Sequence, residues 1–510
     1  MQEGDISAFH FLVVVLAPLL VSQFVTPFVI SAARRMDLVD SPDGFRRIHD
    51  TPVPRIGGVA VLASFAFALF FIRDVIGGES GVIGVLAGCA IVSLVGLYDD
   101  LRGVSPRVKV IAQLVAAAVA WSFSPQLHGI ALGYTSEFAL GWLGLPVLML
   151  WVVVVSNGYN LIDGINGLAS AVGIVGAFAA AAISLALGNH VDALLALALA
   201  SALCGFSRFN FPKARIFLGD AGSLTIGFLL AMLTVRGASR PSGSVVLVVP
   251  VLALLVPLFE TGLTIARRWL RSVSVVVADA HHIHHRLLAV GFGHSGATLV
   301  LGSASAIFAT LGVALGVAGP TMMWVFSVLA IGAVVLSLLL AVSVLSYHEI
   351  GIAAEVLMTG PSRARRVIRD QIAATDLAAR VQTTTSIDAL NEMLALAASD
   401  FSFVKMSLLH RGMDVISADP PGRVWRLEFP LSTPDSIPSF AGFAISVLCG
   451  ANGGSRPFGA ERVIHILAPA LEAWIVDHQD ALATEYAAAA SGTAKARRSV
   501  MLRMPRGGVA

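Results

Sequence analysis

Apolar stretches of roughly 17–25 residues recur about eleven times before residue 346, and about 20 residues of helix cross the hydrocarbon core of a bilayer. They fall near residues 9–31, 56–73, 81–98, 108–124, 139–156, 166–187, 190–207, 221–235, 243–266, 298–318 and 321–346. No water reaches the backbone in hydrocarbon, so segments of this kind must bond their own N–H and C=O groups as helices. The composition points the same way: 56% of the residues are hydrophobic and 13% charged, against about 25% charged in globular proteins. With a mean hydropathy of +0.82, this excludes a purely soluble enzyme, a disordered chain and a nucleic-acid binder. The chain reads as an all-α polytopic membrane protein. The short 221–235 stretch and the 187–190 connection are its weakest parts.

The first stretch differs from a signal peptide, since Glu3 and Asp5 precede it and no Lys or Arg does. Orientation follows from the basic loops. Arg34, Arg35, Arg46, Arg47 and Arg55 follow the first span; alternate loops then hold Arg102, Arg107 and Lys109, then Arg208, Lys213 and Arg215, then Arg267, Arg268, Arg271 and Arg286. The intervening loops carry Arg73, Arg236 and Arg240. The expectation is an N-terminus outside and basic loops in the cytoplasm. The net charge of +2 says nothing further about partners, and Cys89, Cys204 and Cys449 share no metal-ligand or redox spacing.

The chain then changes character. Across 347–485 charged residues return, and runs such as FSFVKMSLL (401–409), RVWRLEFPL (423–431) and FAGFAISVL (440–448) alternate with helical patterns such as 460–476. This predicts a soluble α+β domain on the cytoplasmic side. A sensory domain of the GAF type and a packing or oligomerisation module without a ligand are both open readings. Residues 486–510 read as a disordered basic tail.

Ionisable residues at a membrane edge are costly and call for a reason. They gather in islands on the side the basic loops mark as cytoplasmic. RRIHDTPVPRIGG (46–58) reads on its own as an ordinary basic loop. YDDLRGVSPRVKVIAQ (98–113) opens on Asp99 and Asp100, which can hold a divalent cation or take a proton, with Lys109 in reach of an anionic oxygen. SNGYNLIDGINGLAS (156–170) sets Asn157, Asn160, Asp163 and Asn166 three apart, predicting one helical face turned from lipid. FNFPKARIFLGDAGSLTIG (209–227) places Asp220 where a helix opens, and free N–H groups there favour a phosphate or metal site. ADAHHIHHRL (278–287) holds His281, His282, His284 and His285 beside Arg286, suited to zinc or equally to a sugar or diphosphate. A secondary transporter would place such charges at the bilayer midplane instead.

Taken in order, the motifs DD…K-x-x-x-Q, N-x-x-N-L-x-D-G, F-x-G-D-x-G-S-L-x-x-G and H-I-H-H-R-L resemble the polyprenyl-phosphate N-acetylhexosamine-1-phosphate transferases, within glycosyltransferase family 4. The resemblance covers about residues 1–346 and implies a membrane enzyme of the bacterial cytoplasmic membrane, facing the cytoplasm. Its cofactor would be Mg²⁺, with Mn²⁺ as the alternative. The reaction implied joins a UDP-N-acetylhexosamine, GlcNAc first, to undecaprenyl phosphate, releases UMP, and starts O-antigen or other lipid-linked polysaccharide synthesis. A homodimer is left open.

The same resemblance implies roles for individual residues. Asp99 and Asp100 match the acidic pair that deprotonates or positions the lipid phosphate, and Asp163 an essential acid of unsettled role. Asp220 matches a magnesium-binding aspartate and Asn160 its assisting asparagine. Phe217 and Asn166 match uracil contacts; Lys109, His282, His284, His285 and Arg286 match contacts to diphosphate and sugar. Asn166, Glu260 and Ala280 depart from the usual bacterial pattern, which bears on the sugar accepted. Two rivals remain. A phospho-MurNAc-pentapeptide transferase carries a different histidine-rich loop, and a non-catalytic sensor would have lost the four aspartates.

Overall fold

A computed structural model describes residues 7–40, 53–76, 79–124, 141–238, 248–270, 282–344, 361–401, 403, 405–410, 413–414, 424–431, 443–450 and 457–478. The chain divides into two compact units, Met1–Trp269 with Val273–His348, and Leu270–Ser272 with Glu349–Ala510.

In the first unit the apolar stretches are helices. They are α1 (Ala8–Arg35), α2 (Gly57–Phe71), α4 (Ser80–Arg102), α5 (Pro106–Phe123), α6 (Gly144–Ile162), α7 (Leu168–Ala186), α8 (His190–Asn210), α9 (Gly219–Gly237), α10 (Val248–Ala253), α11 (Leu255–Leu270), α13 (His294–Val317) and α14 (Pro320–Val344). Two short helices, α3 (Arg73–Ile76) and α12 (Ile283–Ala289), and a two-residue antiparallel pair, β1 (Val39–Asp40) with β2 (Val53–Pro54), complete the unit. Among the described residues, eight helices are by length and composition long and apolar enough to cross a membrane. Gly57–Phe71 and Leu255–Ile265 are apolar but shorter. The stretch read as 243–266 divides into α10 and α11 because Pro257 has no N–H for the carbonyl of residue 253. The uncertain connection after α7 is a tight turn through Gly188 at φ +82°.

The centre of the unit is α9. From Ala221 to Gly237 every residue is buried, enclosed by α2, α4, α6, α7 and α8. Backbones approach it closely at glycines: a Cβ on Gly58 would lie 2.2 Å from the Gly222 nitrogen. The periphery is the reverse of a soluble surface. Only 6% of the α14 spanning window is buried, and Phe24, Trp324 and Ile331 are more than 60% exposed. Apolar exposure on this scale marks a membrane-facing surface. At the C-terminal end of α9 the buried Arg236 meets Asp192 of α8 at 2.8 Å and Glu79 at 3.5 Å, while Asn189 donates to the carbonyl of Gly237 at 2.9 Å.

The second unit is α+β, as the change in composition predicts. Its elements are α15 (Pro361–Gln382), α16 (Ile387–Ala398), β3 (Lys405–His410), β4 (Met413–Asp414), β5 (Val424–Pro430), β6 (Phe443–Gly450) and α17 (Pro457–Asp477). The antiparallel sheet runs β4-β3-β6-β5, and its register sets Met406 opposite Val447 and Leu408 opposite Ile445. Those four join Leu377 and Val381 of α15, Leu390 and Leu394 of α16, and Leu467 and Leu471 of α17 in one core. Ser386 caps α16, accepting the Ala389 N–H at 3.3 Å. The tail 486–510 lies outside the described residues, as do Arg46, Arg47 and His49.

Candidate active site

The ends of four helices converge at the N-terminus of α9. The Asp99 carboxylate, in the last turn of α4, accepts the Val104 N–H at 2.6 Å and so closes the turn into α5. Its other oxygen accepts Lys109 Nζ at 2.8 Å, and the same ammonium donates to Asp220 Oδ2. From the opposite side Asn160, in the last turn of α6, donates Nδ2 to Asp220 Oδ1 at 3.0 Å and to Ser223 Oγ at 2.8 Å. Asp220 is thus held between a cation on α5 and an amide on α6.

Asp100, the neighbour of Asp99, does something else. Its two oxygens accept the Asp220 and Ala221 N–H groups, each at 2.9 Å. These are donors that a helix N-terminus leaves unpaired, and a carboxylate there also meets the positive end of the helix dipole. The Asp163 carboxyl accepts the Gly219 N–H. The sequence suggested that these N–H groups stand open for a phosphate; in the fold the protein's own carboxylates occupy them. Gly219 sits at φ +71°, where a Cβ would fall 1.7 Å from the Arg55 carbonyl oxygen. The Arg55 charge draws on both Asp100 and Asp163. Beyond the end of α6, burial pushes the Asp163 carboxyl well above the usual carboxylate range; the charges of Asp220 and Asp100 add to this, and Arg55 opposes it.

The four polar residues of 157–166 do not share one helical face. The helix stops at Ile162, and Gly167 at φ +76° turns the chain, so only Asn157 and Asn160 stand on α6. Asn157 donates to Gln113 Oε1 at 2.8 Å, within the bundle. Asn166 lies in the turn, donating to the Pro212 carbonyl at 3.3 Å and accepting Thr298 Oγ1 on its own carbonyl at 2.8 Å. Phe217, half-buried, exchanges backbone bonds with the β2–α2 segment: its N–H reaches Pro54 and its carbonyl accepts Gly57 N–H, both at 2.8 Å.

The histidine-rich segment is anchored from α11. Fully buried Glu260 meets His282 Nδ1 at 2.7 Å and accepts the Ile283 N–H at 2.8 Å. Arg286 is half-buried on α12; His284 and His285 are on the same helix with side chains outside the described residues, as is all of His281. Beside this helix an apolar cavity of about 300 Å³ is lined by Phe259, Ile283, Leu287, Phe308 and Leu338, among others.

Sequence reasoning missed several members. Arg55 sat in what read as an ordinary basic loop, Ser223 among small residues opening a helix, and Glu260 counted only as a departure from a pattern. Tyr159 was missed too: it is fully buried, and its hydroxyl donates to the Ala169 carbonyl, bracing the α6–α7 turn. Its signal was available, a phenol in the polar last turn of an apolar helix, between Asn157 and Asn160.

Among the described residues no three His, Cys, Asp or Glu side chains form a ready metal cage. Asp99 and Asp220 nonetheless point one oxygen each at a single cation, Lys109. Hard oxygen donors few in number suit Mg²⁺, which is commonly held by one or two carboxylates plus substrate phosphates. The donor set fits such an ion.

Residues 82–238, which contain three of the four motifs and the whole carboxylate cluster, match the model for glycosyl transferase family 4. A probable undecaprenyl-phosphate N-acetylglucosaminyl 1-phosphate transferase of Bacillus subtilis (strain 168) is 33% identical, over 56% of this chain and 78% of its own. The chain belongs to glycosyl transferase family 4. Similar too are a decaprenyl-phosphate N-acetylglucosaminephosphotransferase of Mycobacterium leprae (strain TN), 31% identical over 57% of this chain and 82% of its own, and an undecaprenyl-phosphate alpha-N-acetylglucosaminyl 1-phosphate transferase of Escherichia coli (strain K12), 29% identical over 56% and 78%. As a family 4 member the chain is a phosphoglycosyltransferase, and the α4–α5–α6–α9 cluster lies wholly within the matched region.

Proposed function

We propose that the chain transfers N-acetylhexosamine 1-phosphate, GlcNAc 1-phosphate first, from a UDP-sugar to undecaprenyl phosphate. UMP is released, and the product starts a lipid-linked cell-surface polysaccharide such as O-antigen. The observation that carries this reading is the placement of Lys109 between Asp99 and Asp220 at the open end of the enclosed helix α9. The names of the relatives, all polyprenyl-phosphate N-acetylglucosamine-phosphate transferases, support it.

The physical problem is to bring two polyanions together. Mg²⁺, or Mn²⁺ in its place, would be held by Asp220 with Asn160 and Asp99, and would neutralise the diphosphate and polarise the β-phosphorus. Lys109, already aligned by the two carboxylates, presents its ammonium to the incoming phosphate charge in place, without reorganising. A phosphate monoester has a second pKa of about 6 and is mostly dianionic near neutral pH, so its oxygen needs no general base. That oxygen bonds to the β-phosphorus as the bridge to the α-phosphate breaks, and the electron pair leaves on UMP. Asp99 therefore aligns Lys109 rather than removing a proton, Asp100 and Asp163 hold the α9 N-terminus and with it Asp220, and Arg55 offsets their charge. Asn166 and Phe217 border the uracil; His282, His284, His285 and Arg286 receive diphosphate and sugar. The apolar cavity beside α12 takes the first isoprene units. The enzyme sits in the bacterial cytoplasmic membrane, N-terminus outside, with the site and the second unit in the cytoplasm.

The full-length protein in detergent with Mg²⁺, undecaprenyl phosphate and UDP-GlcNAc should release UMP, and Asp220→Ala should abolish the release. Mass spectrometry of the lipid product identifies the sugar. Absence of UMP with every UDP-N-acetylhexosamine would overturn the assignment.

A further inference from the structure

Glu260 is a carboxylate with no surface exposure in the interior of α11, and its two oxygens are both engaged. One meets His282 Nδ1 at 2.7 Å and takes Thr264 Oγ1 at 3.4 Å; the other accepts the Ile283 N–H at 2.8 Å. Ile283 is the first residue of α12 and His282 its N-cap, so Glu260 caps a helix that belongs to a different part of the chain. The helix bearing Glu260 is itself fixed against the carboxylate cluster's support: a Cβ on Gly158 of α6 would lie 2.4 Å from Thr261 Oγ1 and 2.6 Å from the Pro257 carbonyl oxygen. Gly158 stands between Asn157 and Asn160, so α11 abuts the turn of α6 that carries the Asp220 partner.

We infer that Glu260 is a positioning residue for the transfer reaction, one that holds His282 by Nδ1 and starts α12 so that the histidine–arginine segment is presented to the substrate. A carboxylate on one imidazole nitrogen selects the tautomer and the ring orientation, and leaves the other nitrogen with a defined role. Nδ1–H donates to Glu260, and Nε2, on the far side of the ring, is the atom that meets a phosphate or sugar oxygen. The glutamate length matters, because an aspartate at 260 would be one methylene short of reaching both the ring and the Ile283 N–H. This inference rests on the proposed transferase activity only for the identity of what His282 meets; the Glu260–His282 pairing stands apart from it.

The test uses the full-length protein, with ¹⁵N-histidine label, and compares wild type, Glu260→Gln, Glu260→Asp and His282→Gln. Spectra of wild type minus His282→Gln should show His282 protonated at Nδ1, and this signature should be lost or moved in Glu260→Gln at unchanged thermal stability. In UMP release, Glu260→Gln should lower kcat roughly ten- to hundredfold, the usual loss when an imidazole's orienting partner is removed. KM for the lipid should stay within about threefold, with Glu260→Asp intermediate. An Nε2-protonated His282 in wild type, or full kcat in Glu260→Gln, would overturn the inference. If Glu260→Gln does not fold, the wild-type tautomer and the Glu260→Asp kinetics still decide it. A wild type inactive with every UDP-sugar would defeat the transferase reading and leave the spectral result to judge the pair.

Discussion

The carboxylate of Asp100 takes the backbone N–H of Asp220 at 2.9 Å, and with it that of Ala221, so the residue next to Asp99 acts on the main chain of the residue Asp99 faces through Lys109. Two adjacent aspartates therefore have separate duties, one toward a cation and one toward a helix end. Asp100→Asn replaces one acceptor by an amide donor facing an N–H. The expected result is a loss of about 1–2 kcal/mol of stability, as for other lost helix caps, and at least a tenfold fall in UMP release because Asp220 shifts. Thermal unfolding beside initial rates checks both; a variant with normal rates would show that Asp220 keeps its place without the cap.

Lys109→Met removes the cation on which Asp99 and Asp220 converge. Two carboxylates then face each other in a half-buried pocket, and UMP release should drop at least a hundredfold. Lys109→Arg should recover little, since a planar guanidinium does not replace a compact ammonium between two oxygens. Rates at saturating substrate measure this.

Asn160 and Asn157 lie three residues apart on α6 but reach different neighbours, Asp220 and Gln113. Asn160→Ala should raise the Mg²⁺ concentration needed for half-maximal rate severalfold. Asn157→Ala should leave that concentration unchanged and lower stability by about 1 kcal/mol, the loss of a neutral hydrogen bond. Metal titrations of both variants distinguish them, and equal shifts would contradict the assignment of separate roles.

Gly219 and Gly188 share a positive φ, +71° and +82°, yet only Gly219 has neighbours in the way. Gly188→Ala pays roughly 1–2 kcal/mol for the left-handed backbone alone. Gly219→Ala must also displace the Arg55 carbonyl, and should fail to accumulate in the membrane or be inactive. Expression and thermal stability of the pair provide the comparison.

Arg236→Met leaves Asp192 buried without its partner at the end of α9 away from the site. A loss of about 3–5 kcal/mol is expected, largely reversed in Arg236→Met with Asp192→Leu. KM of the surviving protein should not change, which substrate titrations would read.

The helical architecture was legible because hydrocarbon admits so few backbone solutions: a stretch such as 298–318 has to be helical whatever packs beside it. The strands at 405–410, 424–430 and 443–450 were visible as short β-rich runs in a region where charge returns. Asp99, Lys109, Asn160 and Asp220 were legible as polar residues in apolar surroundings, where each needs a partner. Which partner was not. The spacing of Asn157, Asn160, Asp163 and Asn166 suggested one face, and a helix end at Ile162 sent them to separate neighbours.

What the sequence by itself determined is the membrane setting, the helices and the residue types at one end of them, since burial of backbone and charge in hydrocarbon is costly wherever the chain goes. Only the tertiary structure decided that Asp100 caps α9, that Lys109 bridges Asp99 and Asp220, and that Glu260 holds His282. Hydrogen bonds act over about 3 Å, and the partners here come from separate helices whose approach, set by residues such as Gly58, Gly158 and Gly219, no local pattern encodes.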